Sequence, residues 1–315
     1  MDGRCRDLAA GAVYLNPDLA AVRLSRPQPA HIQAAIRSLL ERGKVSGRGV
    51  APASALKAFA VLHRACEQAV KWGSLGRNPC DAVDRPRLVP REMRLWTEEE
   101  TRRFLAEAER TSAHHCLYLT AVATGLRQAE LLGLVWQSVD LNAGVAAVRQ
   151  ICYRGVFKEP KTQKARRTVA LSPRVVEALR RHKARQNETR LRWGAEYQDR
   201  GLVFARDSGK PLDARDLVQR DFESLRKRAG VPRIRSHDLR HSHASHLLRA
   251  GVHPKVVSER LGHSRVGITM DTYSHVLPGM QEEAARRVDA MLGGTVEATS
   301  EQPAALPLTT EAPFK

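Results

Sequence analysis

Cysteine pairs and long apolar runs are both missing from this sequence. Its five cysteines are an odd number, lie far apart and include no Cys-x-x-Cys pair. This pattern excludes a disulfide framework and a cysteine zinc site, and it indicates a reducing compartment. No apolar run is long enough to cross a bilayer, and the amino terminus lacks a cationic stretch followed by a hydrophobic one. We therefore expect a cytoplasmic protein with no membrane partner.

Two kinds of ATP- or metal-dependent site are also missing. The sequence has no glycine-rich phosphate loop, and it has no convergent carboxylate set of the kind that two-metal nucleases need. The acidic residues between 213 and 223 alternate with arginines, which is typical of a solvated helix face. No His-Glu-x-x-His occurs, and His241, His243 and His246 are interpreted as satisfied or surface histidines. The sequence predicts no metal ion and no cofactor.

Basic residues greatly outnumber acidic ones. The 315 residues carry a formal net charge of +18, and such an excess favours a polyanionic partner because binding releases counterions. Residues 149–192 contain 14 Lys and Arg against 3 Asp and Glu, and residues 1–95 contain 16 against 8. Although each run taken alone is equally typical of a solvated face, the two together favour double-stranded DNA held from two sides.

Residues 28–85 have the pattern of a small all-helical domain. One amphipathic helix is predicted from residue 31, and a second from residues 55 to 72 with an apolar face that includes Phe59, Ala65 and Trp72. Residues 1–26 lack any long periodic pattern. Residues 86–94 form a basic, proline-bearing stretch that we interpret as a linker between domains.

The pattern of residues 95–292 predicts a second domain of mixed secondary structure. Thr97 followed by three glutamates is a signature that opens a helix, and Gly125 ends an apolar helix. Residues 145–151 and 167–171 are predicted as strands, and helices dominate from residue 213. The fold class is therefore mainly α with a small antiparallel β-sheet. Residues 293–315, rich in Thr, Ala, Pro and Glu, are predicted as a disordered tail.

Two arginines of the second domain lie where each is suited to hold a phosphate. Arg127 has Glu130 one turn further on, a spacing that is otherwise typical of a surface ion pair. Arg240 lies one turn after His237, near the amino end of a helix that we expect Ser236 to cap. An arginine fork donates parallel hydrogen bonds to a phosphate, and the amino end of a helix favours an anion.

A lysine, a histidine and a tyrosine complete a set of groups suited to phosphodiester cleavage. Lys161 lies in the basic connection between the predicted strands, His263 follows a helix-ending glycine, and Tyr273 comes ten residues later. Cleavage needs charge neutralisation, an in-line nucleophile and a proton for the leaving oxygen. Taken singly, each residue has an ordinary structural explanation. The tyrosine, for example, stays protonated at neutral pH because its usual pKa is about 10.

The order and spacing of these motifs resemble the tyrosine recombinases, the phage integrase family, over residues 28 to 290. The matching motifs are Thr124-Gly125-Leu126-Arg127-Gln128-Ala129-Glu130-Leu131, Pro160-Lys161-Thr162, His237-Asp238-Leu239-Arg240-His241, Leu261-Gly262-His263-Ser264 and Tyr273. Gln128 and Ala129 depart mildly from the family pattern. The resemblance implies a helical core-binding domain at 28–85 and an α+β catalytic domain at 95–292. Residues 1–26 would then be a short arm or the remnant of an arm-binding domain.

The resemblance also implies the chemical role of each residue. The six catalytic residues would be Arg127, Lys161, His237, Arg240, His263 and Tyr273. The arginines would clamp the phosphate, and His263 would add a hydrogen bond. Tyr273 would be the nucleophile, with His237 as proton shuttle and as the base near its hydroxyl. Lys161 would protonate the departing 5′ oxygen, with Lys164 as the alternative.

A site-specific recombinase of mobile DNA is the function that the resemblance implies. Attack by Tyr273 would give a 3′-phosphotyrosyl intermediate, which the 5′-hydroxyl of a partner strand would then displace. Four protomers would assemble on two DNA sites, and DNA-bending accessory proteins would be possible partners. The two domains would clamp the duplex between them, and a helix from about Gln281 to Leu292 would dock on a neighbouring protomer.

Two alternatives belong to other functional classes. A DNA-binding regulator would retain the fold without turnover, but candidates at all six catalytic positions argue against it. A relaxing topoisomerase of related chemistry would cut and reseal DNA without a partner site. Relaxation of a supercoiled plasmid that lacks any specific site would favour the topoisomerase over the recombinase.

Overall fold

The computed structural model of the protein describes Leu19, Val22 and residues 27–41, 50–87, 94–160, 165–273 and 280–292. Most of the predicted arm, the predicted tail and residues 88–93 of the predicted linker lie outside the described residues. The chain divides into two compact units, Met1–Met93 and Arg94–Lys315. Within the described residues, no helix is both long and apolar enough to cross a membrane.

Helices are the main elements in the described part of the first unit. Helices α1 (Pro29–Glu41) and α2 (Pro52–Lys71) are followed by a 3₁₀ turn (Pro79–Ala82). Their shared core contains apolar side chains from all three elements, namely Ile32, Ala35, Ile36, Leu39, Ala55, Ala58, Phe59, Cys66, Cys80 and Val83.

The prediction of which α2 side chains face the core was partly wrong. Phe59 is buried, but Ala65 is exposed and Trp72 is 74% exposed. The buried row runs instead through Phe59 and Cys66, which are seven residues apart and therefore lie on one side of the helix. Ala65 and Trp72 share a neighbouring row, about a quarter turn away from the core.

The second unit begins with three helices that lead to its functional residues. Helix α3 (Glu98–Thr111) opens with the predicted capping signature, because Glu100 N donates to Thr97 Oγ1 over 3.1 Å and Thr97 N donates to Glu100 Oε2 over 2.8 Å. Helix α4 (His115–Thr124) ends at Gly125, and α5 (Gln128–Leu132) follows directly. Four aromatic rings hold α3 and α4 in the core: Trp96, Phe104, Tyr118 and Phe222.

Two small antiparallel sheets follow these helices. Strands β1 (Val139–Asp140), β2 (Val145–Ala147) and β5 (Thr168–Ala170) form one sheet in the order β1-β2-β5, with Ala146 opposite Val169. Strands β3 (Ile151–Tyr153) and β4 (Val156–Lys158) form a hairpin, with Cys152 opposite Phe157. The predicted fold class, mainly α with a small antiparallel β-sheet, is confirmed.

The predicted strand 145–151 was partly wrong, because both ends of this range are in strands but these strands belong to separate sheets. Gly133 explains the break, since a Cβ at this position would lie 2.8 Å from the backbone of Ile151 and Cys152. The Gln150 side chain also donates to Gly133 O over 3.0 Å. The end of α5 therefore packs against β3, which lies outside the first sheet.

Helices predominate in the remainder of the described chain. They are α6 (Pro173–Trp193), α7 (Ala214–Asp216), which continues through a π-helical segment (Leu217–Phe222) into α8 (Glu223–Arg228), then α9 (Asp238–Arg249), α10 (Pro254–Leu261), α11 (Val266–Tyr273) and α12 (Met280–Met291). A separate apolar cluster joins α9, α10 and α11 and contains Ala244, Leu248, Val257, Leu261 and Tyr273.

The predicted capping of α9 by Ser236 was wrong. Helix α9 begins at Asp238, and His237 precedes it in a helical backbone conformation without a capping side chain. The Asp238 carboxylate instead reaches back to accept from Arg235 N over 2.8 Å and from the Arg235 guanidinium. This interaction fixes the turn that presents His237.

Candidate active site

Gly125 brings the end of α4 next to α9 and α10. Its φ of +65° favours glycine, and a Cβ here would lie 2.5 Å from the His243 ring and 2.8 Å from Leu261 Cδ2. The Gly125 carbonyl accepts from Arg240 Nη1 over 2.7 Å. Two residues later the chain presents Arg127 at the start of α5, so one turn positions both arginines.

Arg127 and Glu130 form the predicted ion pair, but it is not a surface pair. Glu130 Oε1 accepts from Arg127 Nη1 over 2.7 Å, and Glu130 Oε2 accepts from Arg127 N over 2.9 Å. Glu130 is 3% exposed, whereas the Arg127 side chain is 37% exposed. Burial opposes ionisation of Glu130, but hydrogen bonds from Arg167 and Arg127 outweigh it and hold its pKa below the usual range. The carboxylate therefore orients an arginine that still faces solvent.

Arg240 is fixed in the interior by backbone carbonyls. Its Nη1 donates to Gly125 O over 2.7 Å and its Nη2 donates to Leu261 O over 2.6 Å. Burial and the charge of Arg127 lower the Arg240 pKa to about 9, so the guanidinium remains a cation at neutral pH. Because an arginine has five N–H donors, others stay available for an anion.

His263 lies beside these arginines on the turn after α10. Gly262 ends that helix with a φ of +67°, and His263 Nδ1 lies 2.8 Å from Thr269 Oγ1. Burial lowers the His263 pKa to about 4, and the charges of Arg240 and Arg127 act in the same direction. The imidazole is therefore neutral at physiological pH.

The Tyr273 hydroxyl lies 2.6 Å from His241 Nδ1. Tyr273 is 1% exposed, and burial raises its pKa to about 12. Burial and the neighbouring His237 lower the His241 pKa to about 4. Both groups are therefore neutral at pH 7, and one hydrogen bond joins the hydroxyl to the imidazole nitrogen.

His241 is a site residue that the sequence interpretation missed. His237 was expected near the tyrosine hydroxyl, but His241 occupies that place, and the His237 ring packs edge-on against it with centroids 5.3 Å apart. His237 itself is exposed, and partial desolvation and the charge of Arg240 hold its pKa below the usual value. The four-residue spacing of His237 and His241 on one helix face was the available signal.

The structure brings together five of the six predicted catalytic residues: Arg127, His237, Arg240, His263 and Tyr273. Lys161 and its alternative Lys164 lie outside the described residues, so the role of either lysine stays a prediction. The described chain resumes at Ala165, and Arg167, which directly precedes β5, contacts Glu130.

The other histidines of α9 bind protein groups. His243 Nε2 accepts from Arg260 Nε over 3.2 Å, and His246 Nε2 lies 2.9 Å from Trp96 O. Both agree with the interpretation as satisfied histidines. Among the residues that the structure describes, no three His, Cys, Asp or Glu side chains are grouped closely enough to hold a metal ion.

We expect His243 to make the stability of the second unit depend on pH. Burial and the charge of Arg260 lower its pKa from 6.5 to about 3. Because the unfolded chain takes up this proton first, the free energy of unfolding is highest above pH 6.5 and decreases as the pH falls toward 3. The contribution is about 1.4 kcal/mol per pH unit.

Urea unfolding at pH 7.5, 6.0 and 5.0 checks this expectation by comparison with His243→Gln. The amide can still accept from Arg260 but does not titrate, so the variant should lose less stability on acidification. An identical pH dependence in the two proteins would assign the effect to other groups.

Comparisons with known proteins establish the family of the chain. Residues 94–279 match the phage integrase family. A tyrosine recombinase XerC-like protein of Caldanaerobacter subterraneus is 30% identical over 298 residues, which cover 87% of this chain and 74% of the relative. The ICEBs1 integrase of Bacillus subtilis is 31% identical over 237 residues, which cover 73% of this chain and 64% of that relative, just under two thirds.

A solved structure shares the fold over nearly the whole chain. The Tn1549 transposon integrase, in complex with transposon right end DNA, superposes with a TM-score of 0.76 at 20% identity, covering 93% of this chain and 94% of that one. The extent of the family match and the identity to the XerC-like relative show that the chain belongs to the phage integrase family. It is a tyrosine recombinase, an enzyme that cleaves and rejoins DNA.

Proposed function

We propose that Tyr273 cleaves DNA by attacking a phosphate that Arg127, Arg240 and His263 hold. The observation that carries this proposal is the 2.6 Å contact of the Tyr273 hydroxyl with a neutral imidazole that lies close enough to Arg240 to interact with its charge. Arg127 is partly exposed and can turn its fork to the nonbridging oxygens. Arg240 supplies a fixed positive charge from the interior, which is the preorganised arrangement that stabilises charge in a transition state.

Proton transfer accompanies each bond change in this mechanism. The Tyr273 oxygen forms a bond to phosphorus while its proton passes to His241 Nδ1, and the bond from phosphorus to the 5′ oxygen breaks. Lys161 gives a proton to that oxygen, with His237 as a shuttle at the exposed side. The 5′-hydroxyl of a partner strand then reverses the steps and releases the tyrosine.

Tyr273 has to leave its buried position before it can attack. It is 1% exposed and packs in the apolar cluster of α9, α10 and α11. We infer that DNA binding shifts the end of α11 and delivers the hydroxyl to the phosphate. The contact with His241 then describes the enzyme at rest, poised for proton transfer.

Double-stranded DNA and three further protomers are the proposed partners. Residues 28–85 would form a core-binding domain and residues 95–292 a catalytic domain that exchanges strands as a tetramer on paired sites, with DNA-bending accessory proteins. Exposed apolar side chains on the last helix support contact between protomers: Val288, Met291 and Leu292. The site of action would be the cytoplasm, on DNA.

Covalent capture tests the proposal in cells that carry the native DNA. After denaturation, protein-linked fragments are recovered and sequenced. Adducts at one or two defined loci are expected for a site-specific recombinase. Scattered adducts would favour a relaxing topoisomerase, and specific binding without adducts, even on nicked substrates, would favour a regulator.

We expect His241→Ala to slow cleavage about 100-fold, because a positioned general base contributes roughly 10²- to 10⁴-fold. The rate of the variant should also rise about tenfold per pH unit, since attack would then depend on the small ionised fraction of Tyr273. Single-turnover cleavage of a nicked substrate between pH 6 and 9 measures both effects.

Two variants on the same helix serve as controls for His241. His241→Asn keeps an acceptor near Nδ1 and should recover part of the rate. His246→Ala removes a histidine whose ring bonds to the backbone oxygen of Trp96, and it should cleave at the wild-type rate with the wild-type pH dependence. A His241→Ala enzyme with an unchanged rate and pH profile would remove His241 from the mechanism.

A further inference from the structure

Arg167 connects two parts of the active site that are distant in sequence. In the sequence it belongs to a basic run, Lys158–Arg167, which favours a phosphate contact. The side chain is only 8% exposed, however. Its nitrogens Nε, Nη1 and Nη2 each donate to a protein oxygen over 2.7 to 3.2 Å. The guanidinium therefore acts within the protein and not on the DNA backbone.

The acceptors of Arg167 belong to different elements. Nη1 and Nη2 donate to Glu130 Oε1 and Oε2 over 3.2 and 3.0 Å, and Nε donates to Arg260 O over 2.7 Å. The guanidinium also packs against the turn that carries His263, because a Cβ at Gly262 would lie 2.8 Å from Arg167 Nη1. One side chain thus joins the start of β5 to α5 and to the end of α10.

Glu130 transmits this contact to the phosphate-binding arginine. The same carboxylate that receives Arg167 accepts from Arg127 Nη1 over 2.7 Å and from Arg127 N over 2.9 Å. Since Glu130 is buried, its two oxygens have few other donors. The orientation of Arg127 therefore depends on a carboxylate that Arg167 holds in place.

We propose that Arg167 is a positioning residue for DNA cleavage, which holds Glu130 and the His263 turn so that Arg127 and His263 meet the same phosphate. The proposal rests on the proposed function of the site. Through Glu130, it also connects the residue before β5 to Arg127. Misplacement of a catalytic group by about 1 Å can cost roughly 100-fold in rate, so Arg167→Met should slow cleavage by about that factor.

Arg167→Met and two companion variants test the role. Arg167→Lys keeps the charge without the fork and should restore part of the rate. Arg260→Met is the matched control, because Arg260 is also partly buried and donates to Ala123 O, Ala170 O and His243 without touching Glu130. It should lose stability comparable to that lost by Arg167→Met but cleave within about fivefold of wild type, since the aligned groups stay in place.

Three readouts separate positioning from a DNA contact and from general destabilisation. Single-turnover cleavage at saturating DNA gives the chemical rate, and Kd against salt gives the number of phosphate contacts. Loss of one phosphate contact would lower the salt slope by about one, whereas Arg167→Met should leave slope and Kd unchanged. Urea unfolding reports the stability of every variant.

The pH profile supplies a signature that a purely structural role would not produce. Glu130 faces the guanidinium groups of Arg127 and Arg167, and Arg240 lies close enough to interact with its charge. Without Arg167, burial raises the pKa of this carboxyl. The cleavage rate of Arg167→Met should then fall at acidic pH where the wild-type rate does not.

The outcomes are distinct. A wild-type enzyme that forms no DNA adduct would refute the proposed function itself. If wild type forms adducts, a wild-type rate in Arg167→Met would refute the positioning role. Equal rate losses in Arg167→Met and Arg260→Met would mean that lost stability alone explains the slower cleavage. A larger Kd with a smaller salt slope would mean that Arg167 contacts the DNA. A selective loss of rate with unchanged Kd supports the proposal.

Discussion

Tyr273→Phe is expected to abolish covalent attachment to DNA while leaving DNA binding within about twofold of wild type. The substitution removes the attacking oxygen, and no rate can be recovered through other groups because the phosphotyrosyl bond needs that atom. The ring stays in the cluster of α9, α10 and α11. Its lost hydrogen bond to His241 should cost only about 1 kcal/mol of stability.

A nicked, end-labelled substrate run on a denaturing gel detects the adduct, and a mobility shift measures binding. Tyr118→Phe is the matched control, because Tyr118 is 2% exposed and its hydroxyl also bonds within the protein, to Leu217 O at 3.5 Å and to the Asp221 carboxylate. It should form the adduct at the wild-type level. An adduct that persists in Tyr273→Phe would place the nucleophile elsewhere in the chain.

Local signals account for the parts of the site that could be predicted from the sequence. Each of these signals involves residues that are at most one helical turn apart, so their spacing determines their contact. They are the Thr97 cap, the end of α4 at Gly125 and the pair of Arg127 with Glu130. The family resemblance supplied the remaining positions. These residues needed no knowledge of how distant segments meet.

Long-range contacts account for what the sequence did not reveal. His241 meets Tyr273 across 32 residues, and Arg167 meets Glu130 across 37. No sequence spacing predicts either pairing. The basic run around Arg167 favours a surface position, but the structure buries the Arg167 side chain. The strand break after Ala147 likewise depends on the close approach of Gly133 to β3.

Arg127→Ala is expected to slow cleavage by about 1,000-fold, because loss of one oriented donor at a developing charge costs roughly 10²- to 10³-fold. Its stability should change little, since the side chain is 37% exposed and Glu130 keeps its hydrogen bonds to Arg167. The loss should therefore appear in the chemical step. Single-turnover cleavage at saturating DNA, with urea unfolding in parallel, measures both quantities.

Arg110→Ala distinguishes this role from that of an ordinary ion pair. Arg110 binds Glu107 with the same three-residue separation and the same 2.7 Å distance as Arg127 and Glu130, but it is 71% exposed on α3. We expect it to cleave at the wild-type rate. Equal rates for Arg127→Ala and Arg110→Ala would mean that the pair at Arg127 is only a surface contact.

Arg240→Ala should match the kinetic loss of Arg127→Ala but should also destabilise the fold. Its guanidinium is 3% exposed and donates to Gly125 O and Leu261 O, and each carbonyl left without a partner costs about 1 to 3 kcal/mol. Arg240→Lys, which keeps a buried cation but replaces the planar fork with a compact ammonium, should regain stability without regaining the rate. If stability returns without the rate, Arg240 has two roles: it joins the end of α4 to the end of α10, and it neutralises the phosphate.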